Sequence, residues 1–228
     1  MPRSTITVTG ESPDRARIEH LLQDGAMLVF EDCDLSGADL SRLNLQETRF
    51  RNCALLETSL YAAKLSRTHW QRCRAGHADF ESSDLVDARF ESSDLNNTSW
   101  RRARLASSSF RSCKLTGAAF EDVSYLGLSF EDSLLIGADL RRMSFRKMTL
   151  VGLDFADADL SGCDFRDAVF EGGSLRDAHI KDTRFDGADL READLGGLKL
   201  VNAKLFAGAT ISPRQAAEVV RAMGLNVA

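Results

Sequence analysis

His69, Cys73 and His77 stand four residues apart, a spacing that on a helix would turn three metal ligands to one side. Cys33, Cys53, Cys113 and Cys163 are the other thiols, and His20 and His179 lie far from that trio. Carboxylates gather at Asp154, Asp157, Asp159, Asp164 and Asp167, where only Arg166 opposes them. Catalysis would need a nucleophile, a base and an orienting group converging in a cleft, and a closed zinc site needs four converging ligands. The sequence holds no CxxC pair, no phosphate-cradling glycine loop and no dinucleotide fingerprint. Whether any of these groups converge therefore depends on the elements that carry them.

Those elements follow a period of five. Every fifth residue from Phe30 to Leu205 is large except Ala75, and the 36 positions hold 19 Leu, 12 Phe, two Trp, one Tyr, one Ile and one Ala. Two residues earlier stands a small residue at 28 of 36 positions, so the unit reads small-x-large-x-x, as in Ala38-Asp39-Leu40-Ser41-Arg42. A helix would space its apolar residues by three and four, and a half-buried strand by two. A strict five requires a turn in every pentad, and glycine recurs at the last pentad position, where a turn with positive φ would use it.

The motif resembles the pentapeptide-repeat family, whose members coil four pentads per turn. The resemblance implies an all-β solenoid, a right-handed quadrilateral β-helix with the large residue and the small residue before it both inward. Residues 28–207 would make nine coils, about 43 Å long at the usual strand spacing, with residue n stacked on n+20. In that register all five cysteines point inward as small core residues, while His69 and His77 point outward on different sides of a turn, which dissolves the metal site. Oversized residues at the small position, Val123, Leu128, Met143, Met148 and Leu153, predict distorted coils between 121 and 155.

Short helices are expected on both flanks. Residues 1–27 carry a start signal at Ser12-Pro13-Asp14 and a stop at Gly25; residues 208–228 carry Ser212-Pro213 and Gly224. Ile211, Ala216, Val219, Val220, Met223 and Leu225 give the second flank more apolar surface than one solenoid end can cover, which predicts a homodimer through it. Net charge is −5, and the chain has neither a secretory leader nor an apolar run approaching 18 residues, so a cytoplasmic protein without membrane contact is expected.

The segment from Gly208 to Ala217 and the Met223-Gly224-Leu225 end are similar to the topoisomerase-interacting members of that family, the quinolone-resistance and albicidin-resistance type. That similarity implies a non-enzymatic protein, without cofactor, metal or small-molecule substrate. Its partner would be a bacterial type II topoisomerase (DNA gyrase), shielded from antibiotics by partial imitation of B-DNA. A duplex 43 Å long carries about 25 phosphate charges, far more than this chain can match, so only a local patch can imitate it. Asp154, Asp157, Asp159, Asp164 and Asp167 form the candidate patch. The alternative is a passive scaffold that binds protein or nucleic acid through basic girdles containing Arg101, Arg102, Arg104, Arg141, Arg142, Arg146 and Lys147.

Overall fold

A computed structural model describes residues 4–23, 25–198, 203–222, 224 and 226–227. Its elements are strands β1 (Thr5–Thr9), β2 (Met27–Glu31), β3 (Arg49–Arg51), β4 (His69–Gln71), β5 (Arg89–Glu91), β6 (Ser109–Arg111), β7 (Ser129–Glu131), β8 (Thr149–Val151) and β9 (Val169–Glu171) and helices α1 (Arg15–Gln23) and α2 (Pro213–Ala222). All strand pairs are parallel, and from β2 onward they are in register at n and n+20, as in Phe30↔Phe50 and Phe50↔Trp70. The expected β-solenoid is therefore the fold, with β2 to β9 marking eight turns.

The pentad repeats because its backbone does. At three corners of each regular turn the small residue's N–H donates to the carbonyl of the large residue three before it, as Ala38 does to Leu35 at 3.1 Å. Of the two residues between them, the second adopts a left-handed conformation. Twenty-four non-glycine residues and nine glycines hold this last pentad position with φ between +48° and +76°. Such a conformation costs an L-residue about 1–2 kcal/mol. The penalty is tolerated because each coil's N–H groups bond the next coil, for example Leu35 N to Ala54 O at 2.8 Å and Leu55 N to Arg74 O at 2.7 Å.

The chain divides into two units, Met1–Ser133 and Leu134–Ala228. In the first, β1 to β7 form one sheet, and its core is a herringbone of rings. Phe50 stacks on Trp70 at 4.0 Å and Phe80 on Trp100 at 4.2 Å, while the two columns meet edge to face, Phe90 against Trp100 at 5.4 Å. In the second unit, β8 and β9 form their own sheet and the rings occupy different corners. Phe145, Phe165, Phe185 and Phe206 stack in one column, and Phe155 meets Phe145 and Phe165 edge to face.

The handover falls inside the stretch from 121 to 155 where oversized residues were expected to distort the coils. In the first unit Val123 and Tyr125 are only half-buried, whereas Ala103 and Leu105 one coil earlier are fully buried, and Leu126 is 87% exposed. In the second unit Leu153 is buried, and the residue one coil on is Gly173, whose backbone lies close against the backbone of Leu153. A Cβ at Gly173 would run into the Leu153 carbonyl.

Three expectations need correction. The register does gain a residue, between Gly196 and Leu205. Asp177 N reaches Gly196 O, 19 residues on, but Phe185 N reaches Leu205 O, 20 residues on. The short 3₁₀ helix Ala203–Phe206 lies at this point, so Phe206 and not Leu205 stacks on Phe185, with centroids 4.9 Å apart. At the amino end, β1 extends the sheet by one strand that the pentad pattern does not encode, pairing Thr5–Thr9 with Met27–Glu31. The cap of α1 is Asp14, whose Oδ1 accepts the Arg17 N–H at 2.8 Å, not Ser12.

Candidate functional site

Inside the coils a polar residue at the small position bonds a backbone carbonyl, three residues back for Thr68, Ser83 and Thr98 and one coil back for others. Thr58 Oγ1 donates to the Leu35 carbonyl at 2.8 Å, Thr183 Oγ1 to Leu160 at 2.8 Å and Ser108 Oγ to Leu85 at 2.7 Å, each reaching 23 residues back. The thiols do the same: Cys53 Sγ donates to Phe30 O, Cys73 Sγ to Phe50 O and Cys163 Sγ to Leu140 O. All five cysteines are free and buried. Burial pushes Cys113 up to about 11 and Cys163 up to about 12. Cys53 and Cys73 interact, and Cys73 is raised by its hydrogen bond to Cys53 and by burial. Thiols so placed are core donors, not nucleophiles. His69 and His77 are exposed, Cys73 is buried, and the described residues contain no group of three or more His, Cys, Asp or Glu that could hold a metal.

The surface charges are rearranged by the coil spacing. Arg101 pairs with Glu121 at 3.4 Å, Arg104 with Asp84 at 3.3 Å, Arg111 with Glu131 at 2.7 Å, and Arg102 with Glu81. Runs that read as basic along the chain are thus partly neutralised by the adjacent coil. Arg141 likewise pairs with Asp139 at 2.6 Å, whereas Arg142, Arg146 and Lys147 have no ion pair among the described residues.

The five acidic candidates separate into two kinds. Asp154, Asp159 and Asp164 precede the large residue, and their carboxylates fold back onto the backbone N–H two residues on, at 3.0, 3.0 and 3.1 Å. Asp34, Asp39, Asp79 and Asp139 do the same, so aspartate at this motif position locks the turn. Asp164 is further engaged by Arg166 at 2.6 Å, which holds its carboxyl below the usual range, and Asp159 lies 3.7 Å from Arg141. Asp157 and Asp167 are different: both sit at left-handed corners, exposed and without an ion pair among the described residues. Asp177 and Asp182 share that setting. The tripeptide context distinguishes the two kinds, since turn-locking aspartates precede the large residue and the others follow it by two.

At the carboxyl end, Ile211 is 37% exposed, while Ala216, Val219 and Val220 are half-buried. Met223 and Leu225, expected in the same surface, lie outside the described residues. The residue that fastens α2 is Gln215. Its Nε2 donates to the Leu190 and Ala193 carbonyls, both at 2.7 Å, and its Oε1 accepts the Ser212 N–H at 2.6 Å. Ser212 Oγ accepts the Gln215 N–H at 3.3 Å in return, which makes a capping box. The Ser-x-x-Gln spacing is the signal that points to Gln215.

Comparison with known proteins follows this geometry. Residues 28–100 match the family described as "Pentapeptide repeat region", and residues 83–122, 129–167 and 168–205 match "Pentapeptide repeats (8 copies)". No curated protein matches the chain. Among solved structures, a trypsin-treated form of QnrB1, a plasmid-mediated fluoroquinolone resistance protein, superposes with a TM-score of 0.66 at 18% identity, covering 99% of both chains. HetL, a pentapeptide-repeat protein involved in heterocyst differentiation regulation from the cyanobacterium Nostoc, superposes with a TM-score of 0.57 at 23% identity, covering 91% of this chain and 86% of that one. With the five-residue core rule, the left-handed corners and these matches together, the chain belongs to the pentapeptide-repeat family.

Proposed function

We propose that this protein is a non-enzymatic binding scaffold that acts in the cytoplasm on a bacterial type II topoisomerase (DNA gyrase) and protects it from topoisomerase poisons. The observation that carries this reading is the likeness to QnrB1 over nearly the whole of both chains. The described chemistry is compatible with it, because the buried thiols and hydroxyls are hydrogen-bonded within the core and most charged groups lie on the outside. The contact would be made by the acidic corners of the second unit. Asp157 and Asp167 supply unpaired carboxylates, with Asp177 and Asp182 beside them in the motif, whereas Asp154, Asp159 and Asp164 hold turns. Unpaired carboxylates at rigid corners can imitate a few phosphates, but not a whole duplex.

A homodimer through α2 belongs to the same reading. One side of the helix is held to the last coil by Gln215, and Val219 and Val220 remain half-exposed. Two such surfaces related by a twofold axis would cover each other and close the assembly. Immobilised gyrase tests the contact: binding of the protein should weaken as salt rises and should fall at least about tenfold when Asp157→Lys and Asp167→Lys are combined. Equal binding by wild type and the double variant would remove the acidic corners from the proposal.

A further inference from the structure

Many arginines of the coils find carboxylates either one coil away, as Arg51 does with Glu31 and Arg67 with Glu47, or two residues along, as Arg191 does with Asp189. One column sets two unpaired arginines on either side of a histidine. β3, β4 and β5 place Arg49, His69 and Arg89 as successive in-register partners. All three are exposed, no carboxylate lies between them in the column, and neither arginine has an ion pair among the described residues. Arg49 and Arg89 are not direct cross-strand neighbours, since His69 stands between them, so their positive charges flank the imidazole without a carboxylate in the column.

The surface beside the column is hollow. A depression of about 280 Å³ lies over Phe50 and Trp70 and is lined by Arg49, Arg51, His69, Gln71, Arg89 and Glu91. Arg51 is engaged by Glu31 at 2.8 Å, so Arg49 and Arg89 supply the uncommitted charge and Glu91 is the single opposing carboxylate in the lining. We propose that this hollow binds a phosphoryl oxyanion, clasped by Arg49 and Arg89 from either side of His69. The two arginines are separated by two strand spacings, about 9.6 Å along the stack. A tetrahedral anion presents oxygens to both sides and a further oxygen to the imidazole between them, whereas a planar carboxylate presents one coplanar pair. Guanidinium forks suit such bidentate contacts.

His69 reports on the site. Its pKa is lowered by burial and by the facing charges of Arg89, Arg49 and Arg51, with Glu91 opposing them. A bound anion would cancel the effect of the arginines, so phosphate should raise the His69 titration and bind more tightly as pH falls through it. The phosphoryl group could belong to free phosphate or to a nucleic-acid phosphodiester, and this inference is independent of any topoisomerase contact.

Imidazole NMR resonances provide the test, with His69 assigned by His69→Gln. At constant ionic strength, inorganic phosphate should shift the His69 signal saturably and raise its titration midpoint by about one pH unit. Arg49→Gln combined with Arg89→Gln should weaken binding at least about tenfold. The same variant should unfold close to the wild-type temperature in phosphate-free buffer, because both arginines are exposed and hold no ion pair among the described residues, which shows that it folds. A short oligothymidylate that competes at lower concentration than phosphate assigns the group to nucleic acid; one that does not assigns it to free phosphate. A linear, non-saturating response, an equal saturable shift with acetate, or unchanged phosphate binding by the double variant would each overturn the proposal.

Discussion

Each pentad residue answers to one physical demand, and the small inward position answers to two. It must be short enough to leave room for the stacked rings, and when polar it must find an acceptor in the dry core. The carbonyl 23 residues back satisfies that second demand for Thr58, Ser108, Thr183 and three of the thiols. The thiols should therefore resist an aromatic disulfide reagent at pH 8 in the native protein, while all five react once it is unfolded in guanidinium; rapid native labelling of more than one would contradict this. Gly173 tests the size demand. Gly173→Ala would force a left-handed conformation on alanine and drive its Cβ into the Leu153 carbonyl. We expect a loss of about 3 kcal/mol in urea unfolding from the two effects together. A loss below about 1 kcal/mol would mean that the Leu153 coil is free to move.

At the scale of elements, the pentad spacing made the coils legible because every corner solves the same problem. Among the described residues, large residues at 30, 35, 40 and onward are buried except Tyr125 and Leu205, and glycine at the last position marked the left-handed corner correctly even though most corners use other residues. The reading failed where structure does not follow that period. β1 is specified by pairing with β2, which leaves no pentad signature in Thr5–Thr9. The shift at the last coil was invisible because Leu200 and Leu205 keep the period while Phe206 takes the core place beside Phe185. In the acidic patch, linear clustering alone does not separate the turn-locking Asp154, Asp159 and Asp164 from the corner residues Asp157 and Asp167. For α2 the account rests on Gln215. Gln215→Ala removes two bonds to buried carbonyls and half of a capping box, so amide exchange in α2 should quicken by about a hundredfold, equivalent to roughly 2–3 kcal/mol, while β3 to β6 keep their protection. Protection unchanged in α2 would show that its apolar contacts alone hold it. Val220→Asp addresses the outer side of the same helix. Sedimentation should find wild type as a dimer at micromolar concentration and the variant as a monomer, because an unpaired carboxylate would be buried in the interface; a monomeric wild type would remove the dimer.

For the whole molecule, the solenoid presents side chains on rigid corners with little freedom to lose on binding, which suits a scaffold whose contacts are distributed along its surface. Composition alone would have suggested only a moderately acidic protein of net charge −5. Coil spacing shows that much of this charge is spent internally, in arginine–carboxylate pairs between neighbouring turns, while Asp157 and Asp167 in one unit and Arg49 and Arg89 in the other are among the groups without an ion pair in the described residues. The most direct test of the central claim is a gyrase supercoiling assay run with a fluoroquinolone and titrated with this protein. The account predicts that supercoiling recovers as the protein approaches the gyrase concentration, and that Asp157→Lys with Asp167→Lys blunts the recovery. Supercoiling that stays fully inhibited at every protein concentration would contradict it.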